Sequence, residues 1–132
     1  MMAIAYRWRG EFENDEVVAL HAEGFGHPPE PDDWWGRVNR HSLGWVCGRA
    51  EGALVGFVNV AWDGAAHAFV LDTVVAASVR RQGVGAELVA VAADGARAAG
   101  CAWLHVDFEP DLQHFYLDAC GFTPTDAGLI AL

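Results

Sequence analysis

Alternating and periodic runs of apolar residues divide the first half of the chain into strands and helices. Alternation over residues 3–8 (AIAYRW) predicts a first strand. Two helical segments follow, the first N-capped by Asn14 and the second over residues 32–41. The turn residues Glu51-Gly52 and Asp63-Gly64 separate three β-prone runs, over residues 43–50, 53–62 and 66–75. Strands joined by such short turns predict an antiparallel meander.

The second half of the chain alternates helix and strand. Leu88, Ala92 and Ala96 recur at helical spacing in a segment over residues 85–99, and a strand is predicted over residues 101–108. With the preceding strand, this succession predicts a right-handed crossover between parallel strands. The remaining predicted elements are a helix over residues 110–120 and a final strand over residues 127–132.

Together these elements predict a mixed α/β fold. We expect a mostly antiparallel sheet of about six or seven strands, with about four helices on its faces. Their order is a strand, two helices, three strands, a helix, a strand, a helix and the closing strand or strands. Since the 132 residues contain no repeat and no linker, residues 1–132 are expected to form one domain.

Composition argues against several classes of protein. The formal net charge is −10, and the eight basic residues are all arginines without a basic tract, which disfavours nucleic-acid binding. No apolar run is long enough to predict a membrane span, and the N-terminus does not resemble a signal peptide, so a cytoplasmic location is expected. The three cysteines are widely spaced, which favours reduced thiols over a zinc site or a disulfide.

Two arginines and two glycines stand at the start of the long helix predicted in the second half. A helix N-terminus exposes unpaired N–H groups, and glycine lets an anion approach them closely. Arg80 and Arg81 add guanidinium groups suited to phosphate, so their stretch with Gly83 and Gly85 indicates a pyrophosphate site. The alternative is a simple turn with solvated arginines. The P-loop pattern is absent, and the dinucleotide-binding GxGxxG turn fails at its third glycine, where Leu88 stands.

Two motifs resemble those of one enzyme family. Residues 80–85, RRQGVG, resemble the R-x-x-G-x-G signature of the GNAT superfamily of acyl-CoA-dependent N-acyltransferases. Residues 109–122, EPDLQHFYLDACGF, resemble its N-P-x-x-x-x-[LF]-Y-x-x-x-G-F segment. The predicted order of strands and helices is also similar to the GNAT fold, so the resemblance covers essentially the whole chain. It implies an acetyltransferase that takes acetyl-CoA as co-substrate and needs no metal.

The resemblance also implies which residues bind the cofactor. In the family, amides of the glycine loop hold the pyrophosphate of coenzyme A, and a bulged strand before the loop pairs with the pantetheine arm. The implied cofactor-binding residues are Thr73, Val74, Val75, Arg80, Arg81, Gln82, Gly83, Val84, Gly85 and Ala86. An amide near Val74 or Val75 is expected to stabilise the oxyanion. Tyr116 corresponds to the tyrosine that protonates the departing thiolate, or else is only a packed aromatic residue.

The sequence does not decide which residue is the general base. Phe69 stands where some family members carry a glutamate on the long strand, and Glu109 replaces the asparagine of the second motif. The candidate bases are Asp72, Asp107 and Glu109. Asp107 and Glu109 point to the same face if their strand extends that far. Each of the three has a solvated or ion-paired carboxylate as its alternative, and a chain of water molecules is another route for the proton.

The acceptor pocket of the family lies between the first two helices and the later strands. The stretch HPPEPDDWW falls in that region, so Trp34 and Trp35 are expected to line the pocket and its acidic residues to attract a cation. The expected acceptor is the primary amine of a small molecule, which attacks the thioester directly in a ternary complex. Protein N-termini and lysines are the alternatives. The apolar residues 127–132 are expected to pair two copies as a homodimer or to form a core strand.

Two other functions fit parts of the sequence. A GNAT-like domain that binds acyl-CoA without turnover would share the glycine loop. A metal-binding protein would use His67, His105, Asp107 and Glu109, the last three of which share one strand face by their spacing of two. The metal site would leave the glycine loop and the two arginines unexplained.

Overall fold

The computed structural model describes residues 3–132, which contain five strands and four helices. The strands are β1 (Ile4–Trp8), β2 (Ser42–Ala50), β3 (Ala53–Trp62), β4 (His67–Val75) and β5 (Trp103–His105). The helices are α1 (Asn14–Phe25), α2 (Trp34–His41), α3 (Val84–Ala98) and the π-helical α4 (His114–Ala119). Short 3-10 turns cover Ala77–Val79 and Pro110–Leu112. No helix in residues 3–132 is long and apolar enough to cross a membrane.

The strands form one sheet in the order β1-β2-β3-β4-β5. The first four strands are antiparallel neighbours, and β5 runs parallel to β4, as a crossover through α3 requires. This confirms the predicted mixed α/β fold, its mostly antiparallel sheet and its central meander. The described residues contribute five strands to the sheet, however, instead of six or seven.

The predicted strand over residues 127–132 is wrong. The chain after α4 contains no helix or strand, and Leu129 and Ile130 keep 82% and 87% of their surface exposed. Apolar residues form a strand only where a neighbouring edge supplies main-chain hydrogen bonds. β5 offers a short edge, because it ends at His105 and not at residue 108 as the sequence predicted.

β3 separates two layers of helices. The ring of Phe57 packs edge to face against Trp34 of α2, with 6.1 Å between ring centroids. The preceding residue, Gly56, faces α3, where an added β-carbon would lie 2.9 Å from Cδ1 of Leu88. Because successive residues of a strand point to opposite faces, α1 and α2 cover one face of the sheet and α3 covers the other.

β4 and β5 separate before the C-terminal end of β4. β5 pairs with β4 only as far as Phe69, whereas β4 continues to Val75. Between Leu71 and Val74, three steps along β4 stand against two along β3, so β4 carries one extra residue. Asp72 takes a left-handed conformation there, with φ of 58°, which is the geometry of a β-bulge. The bulge and the separation leave the C-terminal end of β4 with an uncovered edge.

Candidate active site

The glycine-rich turn leads directly into α3. Gly83 has a left-handed backbone, with φ of 76°, and is the N-cap of the helix without a side-chain cap. The amide of Glu87 donates to the Gly83 carbonyl at 3.1 Å and opens the helical hydrogen-bond ladder. The amides of Val84, Gly85 and Ala86 precede that ladder and stay free for a ligand. With the positive end of the helix dipole, these main-chain groups are suited to bind an anion.

Arg80 and Arg81 flank this helix start. Both residues are exposed, and within residues 3–132 neither forms an ion pair with a carboxylate. Arg81 has a left-handed backbone, with φ of 64°, so the turn bends sharply just before Gly83. Gln82, between Arg81 and Gly83, is also exposed. Unpaired guanidinium groups beside unpaired amides suit the oxygens of a phosphate.

Side chains at the uncovered end of β4 point alternately toward the two helical layers. Val74 is buried against Gly24 of α1, whereas Val75 lies on the α3 side, where its Cγ2 is 3.6 Å from a β-carbon built on Gly85. The hydroxyl oxygen of Thr73 is buried and has no hydrogen-bond partner of good geometry among residues 3–132. Because β5 no longer pairs with this segment, an extended ligand has a free strand edge to bind.

Tyr116 lies beside that strand edge. Its ring keeps 7% of its surface exposed and packs against three aromatic rings, those of Phe108, Phe115 and Phe122. Burial raises the pKa of the Tyr116 phenol above its usual value, the neighbouring Thr73 hydroxyl opposes the rise, and Cys120 and Asp107 add to it. The phenol therefore keeps its proton at neutral pH, as a proton donor must.

The π-helical form of α4 follows from one additional residue. Four residues separate Tyr116 from Gly121, one more than in the Y-x-x-x-G-F pattern. A π-helical turn takes up one residue more than an α-helical turn. The amide of Phe122 donates to the Tyr116 carbonyl at 3.0 Å, and the two rings lie 5.9 Å apart. The predicted helix over residues 110–120 is thus a 3-10 turn followed by a short π-helix.

The three candidate bases lie in different settings. Asp72 occupies the β-bulge, with Oδ1 at 3.3 Å from Nε2 of His21. Asp107 is exposed and close enough to Tyr116 to affect its pKa, and Glu109 is exposed before the 3-10 turn that begins at Pro110. β5 ends before Asp107 and Glu109, so the condition under which these two residues would share a strand face is not met.

Two histidines that the sequence did not single out complete this side of the site. His21 on α1 lies between Asp72 and His27, and its Nδ1 is 2.7 Å from Nε2 of His27. Gly26 ends α1 in a left-handed conformation, with φ of 70°, and this turns the chain so that His27 comes back beside His21. The sequence signals only the glycine cap, since Asp72 is 51 residues away from His21.

Trp34 and Trp35 lie on different surfaces. Trp34 keeps 6% of its surface exposed and has its ring 5.2 Å from that of His21. The guanidinium of Arg37 lies 4.5 Å from the Trp34 ring centroid. Trp35 is 38% exposed and packs against Phe12 and Trp45 instead. Of the two, only Trp34 is in contact with the residues around the bulge.

Two of the acids expected to attract a cation are held by neighbours. Asp32 pairs with Arg37 at 2.6 Å. Asp33 accepts a hydrogen bond from the Gly36 amide at 3.0 Å and caps α2. That amide and the Asn14 side chain lower the pKa of Asp33. Both carboxylates therefore stabilise the start of α2.

The residues of the metal-binding alternative do not converge. His67 and His105 are in contact, with 2.7 Å between Nδ1 and Nε2, and the Phe69 ring stacks on His105. Asp107 and Glu109 lie beyond the end of β5 and do not join them. Residues 3–132 contain no group of three His, Cys, Asp or Glu side chains arranged to hold a metal ion.

The sequence matches the family model described as the acetyltransferase (GNAT) family over residues 5–122. The fold is similar to those of several solved structures that share few residues with it. An acetyltransferase of Trypanosoma brucei is 18% identical, with a TM-score of 0.82 and coverage of 98% of this chain and 99% of that one. No curated protein matches the sequence significantly.

Two further structures have amine acceptors in their names. Glucosamine-6-phosphate N-acetyltransferase from Arabidopsis thaliana is 14% identical, with a TM-score of 0.78 and coverage of 97% of this chain and 98% of that one. An aminoglycoside N-acetyltransferase in complex with CoA is 19% identical, with a TM-score of 0.79 and coverage of 100% and 95%. At these identities the likeness concerns the fold.

Proposed function

The chain belongs to the acetyltransferase (GNAT) family, and we propose that it transfers an acetyl group from acetyl-CoA to the primary amine of a small molecule. The observation that carries the proposal is the grouping of three features around the end of β4. These are the free amides at the start of α3, the unpaired Arg80 and Arg81, and the buried phenol of Tyr116. Each supplies one requirement of acyl transfer from a phosphorylated thioester.

The donor would lie along the separated end of β4. Its pyrophosphate would accept hydrogen bonds from the amides of residues 81–86, with Arg80 and Arg81 beside it. Its pantetheine arm would pair with the main chain of residues 73–75, which has no β5 partner. The thioester would then reach the β-bulge, next to Tyr116.

The transfer would be direct. The neutral amine attacks the thioester carbon, and the carbonyl oxygen becomes an oxyanion that an amide near Val74 or Val75 stabilises. When the tetrahedral intermediate collapses, the carbon–sulfur bond breaks and the coenzyme A thiolate leaves. Tyr116 donates its proton to that sulfur and regains one from the nitrogen of the product amide. Acceptor and donor must therefore be bound together.

A cationic acceptor suits this protein. The net charge of −10 favours the approach of an ammonium compound. The two neighbours named for amine acceptors, glucosamine 6-phosphate and aminoglycosides, share the fold and support an amino compound in the same place. Protein N-termini and lysines are the second class of acceptor.

A screen of small primary amines with acetyl-CoA tests the proposal, with free coenzyme A measured by chromatography. Calorimetry with acetyl-CoA separates binding from turnover. Release of coenzyme A that depends on one amine, together with the acetylated amine in mass spectrometry, is the expected result. Binding of acetyl-CoA without release for any amine or peptide would support the acyl-CoA-binding alternative, and no binding at millimolar acetyl-CoA would refute the proposal.

A further inference from the structure

The hydrogen-bond chain through His27 and His21 fixes where protons lie. Nδ1 of His27 is 2.8 Å from the Pro28 carbonyl, which can only accept, so His27 carries its proton on Nδ1. Nε2 of His27 is then an acceptor, and His21 donates to it from Nδ1 at 2.7 Å. This assigns the tautomers of both rings while each is neutral.

The second ring nitrogen of His21, Nε2, carries no proton in that arrangement. Nε2 of His21 faces Oδ1 of Asp72 at 3.3 Å, and an ionised carboxylate can only accept. Two acceptors therefore face each other, at a distance longer than the roughly 2.7–2.9 Å of a charged N–H···O hydrogen bond. All contacts of the chain are satisfied together when Nε2 of His21 takes up one additional proton.

We propose, on the basis of the acetyl transfer proposed above, that His21 is the general base and takes this proton from the ammonium form of the acceptor. Asp72 would bind the ammonium group through its carboxylate, which is 29% exposed. The rings of Phe25 and Trp34 lie with their centroids 4.4 and 5.2 Å from that of His21, and aromatic faces attract a cation.

The position of Asp72 connects this base to the reacting atoms. Asp72 forms the β-bulge, and the next residue, Thr73, has its hydroxyl beside the phenol of Tyr116. An amine held at Asp72 would therefore lie at the same end of β4 as the proton donor to sulfur. Base and acid then lie on two sides of one strand end, His21 on the α1 side and Tyr116 on the α4 side.

The protons balance over the whole reaction. The acceptor enters as R–NH₃⁺ and gives one proton to Nε2 of His21, which becomes an imidazolium between Asp72 and His27. The free amine forms its bond to the acetyl carbon, the carbon–sulfur bond breaks, and the second nitrogen proton replaces the one that Tyr116 gives to sulfur. After the product forms, His21, whose side chain is 21% exposed, returns the Nε2 proton to solvent and regains its resting form with one proton on Nδ1. Nothing is oxidised or reduced.

Few other charged groups face His21. On α1 itself, Glu23 accepts a hydrogen bond from the Ala77 amide at 2.9 Å. On α2, the guanidinium of Arg37 lies over the Trp34 ring and pairs with Asp32. The titratable side chains within hydrogen-bond distance of His21 are therefore Asp72 and His27.

Kinetics of His21→Gln against pH give the first test. With the amine found in the screen, we expect kcat/KM at pH 7 to fall by about 100-fold or more, the usual loss of a general base. The deficit should shrink as the pH rises and the free amine replaces ammonium. Asp72→Asn should raise KM for the amine as well as lower kcat. His67→Gln, which breaks the similar 2.7 Å contact between His67 and His105, is the matched control and should leave the pH profile unchanged.

Nitrogen-15 NMR of the histidine rings gives a test that needs no turnover and no variant. We expect His27 to carry its proton on Nδ1 and His21 to gain a proton on Nε2 as the pH is lowered, with both shifts changing together. A proton on Nε2 of neutral His27 would overturn the assignment and the proposed base.

The two proposals fail differently. If no amine is acetylated by the unmodified protein, the acetyl transfer itself fails. If the unmodified protein acetylates an amine and His21→Gln keeps its kcat/KM and pH profile, the transfer stands and the role of His21 is refuted. Unchanged affinity of His21→Gln for acetyl-CoA in calorimetry shows that the variant is folded.

Discussion

The ring of Phe115 lies directly against the α-carbon of Gly85. A β-carbon built on Gly85 would be 2.9 Å from Cε1 and 3.0 Å from Cζ of that ring. Gly85 belongs to the proposed pyrophosphate site at the start of α3, and Phe115 precedes Tyr116, with 4.8 Å between their ring centroids. The contact therefore joins the proposed donor site to the side chain that would protonate the donor's sulfur.

Substitution Gly85→Ala is expected to displace Phe115 and with it Tyr116. We expect kcat to fall by about tenfold, because small misplacement of a proton donor is costly. The free energy of unfolding should change by less than about 2 kcal/mol, since crowding by the methyl is offset by the better helix propensity of alanine. Steady-state kinetics and urea denaturation measure both. Gly128→Ala is the control, because nothing lies within 4 Å of its β-carbon position. Full activity of Gly85→Ala would show that the two segments act independently.

Substitution Tyr116→Phe should lower kcat by about 100-fold, the usual loss of a general acid, and leave the dissociation constant of acetyl-CoA within about twofold. Burial raises the pKa of the Tyr116 phenol, so the activity of the unmodified protein should persist above the pH at which a free tyrosine ionises. Tyr6, the other tyrosine, lies on β1, and Tyr6→Phe is the matched control. Equal kcat in both variants would exclude Tyr116 as the acid.

Double substitution of Arg80 and Arg81 by glutamine should raise the dissociation constant of acetyl-CoA by about tenfold or more, since a hydrogen bond to a charged group contributes about 1.5–3 kcal/mol. The affinity of the unmodified protein should fall with ionic strength, and that of the variant should fall less. Calorimetry at two salt concentrations measures this. Arg97→Gln at the other end of α3, where Arg97 pairs with Asp94 at 2.8 Å, is the control. Identical salt dependence in all three proteins would place the phosphates elsewhere.

Burial raises the pKa of the Cys47 thiol to about 11, far above its ordinary value. The folded state holds this proton more tightly than the unfolded chain, so the stabilisation is complete below the unfolded pKa and is lost as the pH rises through about 11. We expect the free energy of unfolding to fall by about 2–3 kcal/mol from this group over that interval. Urea denaturation at pH 8 and pH 10.5 should show a smaller loss in Cys47→Ala than in Cys101→Ala. Equal losses would contradict this origin.

Local signals were enough to predict the antiparallel meander and the start of α3. Glu51 and Gly52 both have positive φ, of 50° and 84°, as a two-residue hairpin turn requires. These two residues therefore predicted the first β-hairpin of the meander correctly. The left-handed Gly83 is likewise a property of one residue in its immediate sequence. Such features depend only on residues that are neighbours along the chain, so a single sequence is enough to predict them.

Features that depend on distant partners escaped prediction. Residues 127–132 are as apolar as a strand, yet no edge in the described part of the chain pairs with them. The π-helical turn of α4 comes from one residue between Tyr116 and Gly121, which is visible in the sequence only by counting against the motif. The contact of His21 with Asp72 needs α1 to pack against the bulge of β4, and no spacing along the chain reports that.

The left-handed turn at Gly83 also bears on how such a protein changes over time. The proposed donor site consists largely of main-chain amides fixed by a few dihedral angles, so most side-chain replacements around it leave its hydrogen bonds intact. The proposed acceptor side consists of the side chains of His21, Phe25, Trp34 and Asp72, and each replacement there alters what it recognises. Drift of the sequence would therefore preserve the choice of acyl donor while it diversifies the choice of amine. Directed evolution aimed at those four positions should move acceptor preference while coenzyme A recognition is inherited unchanged.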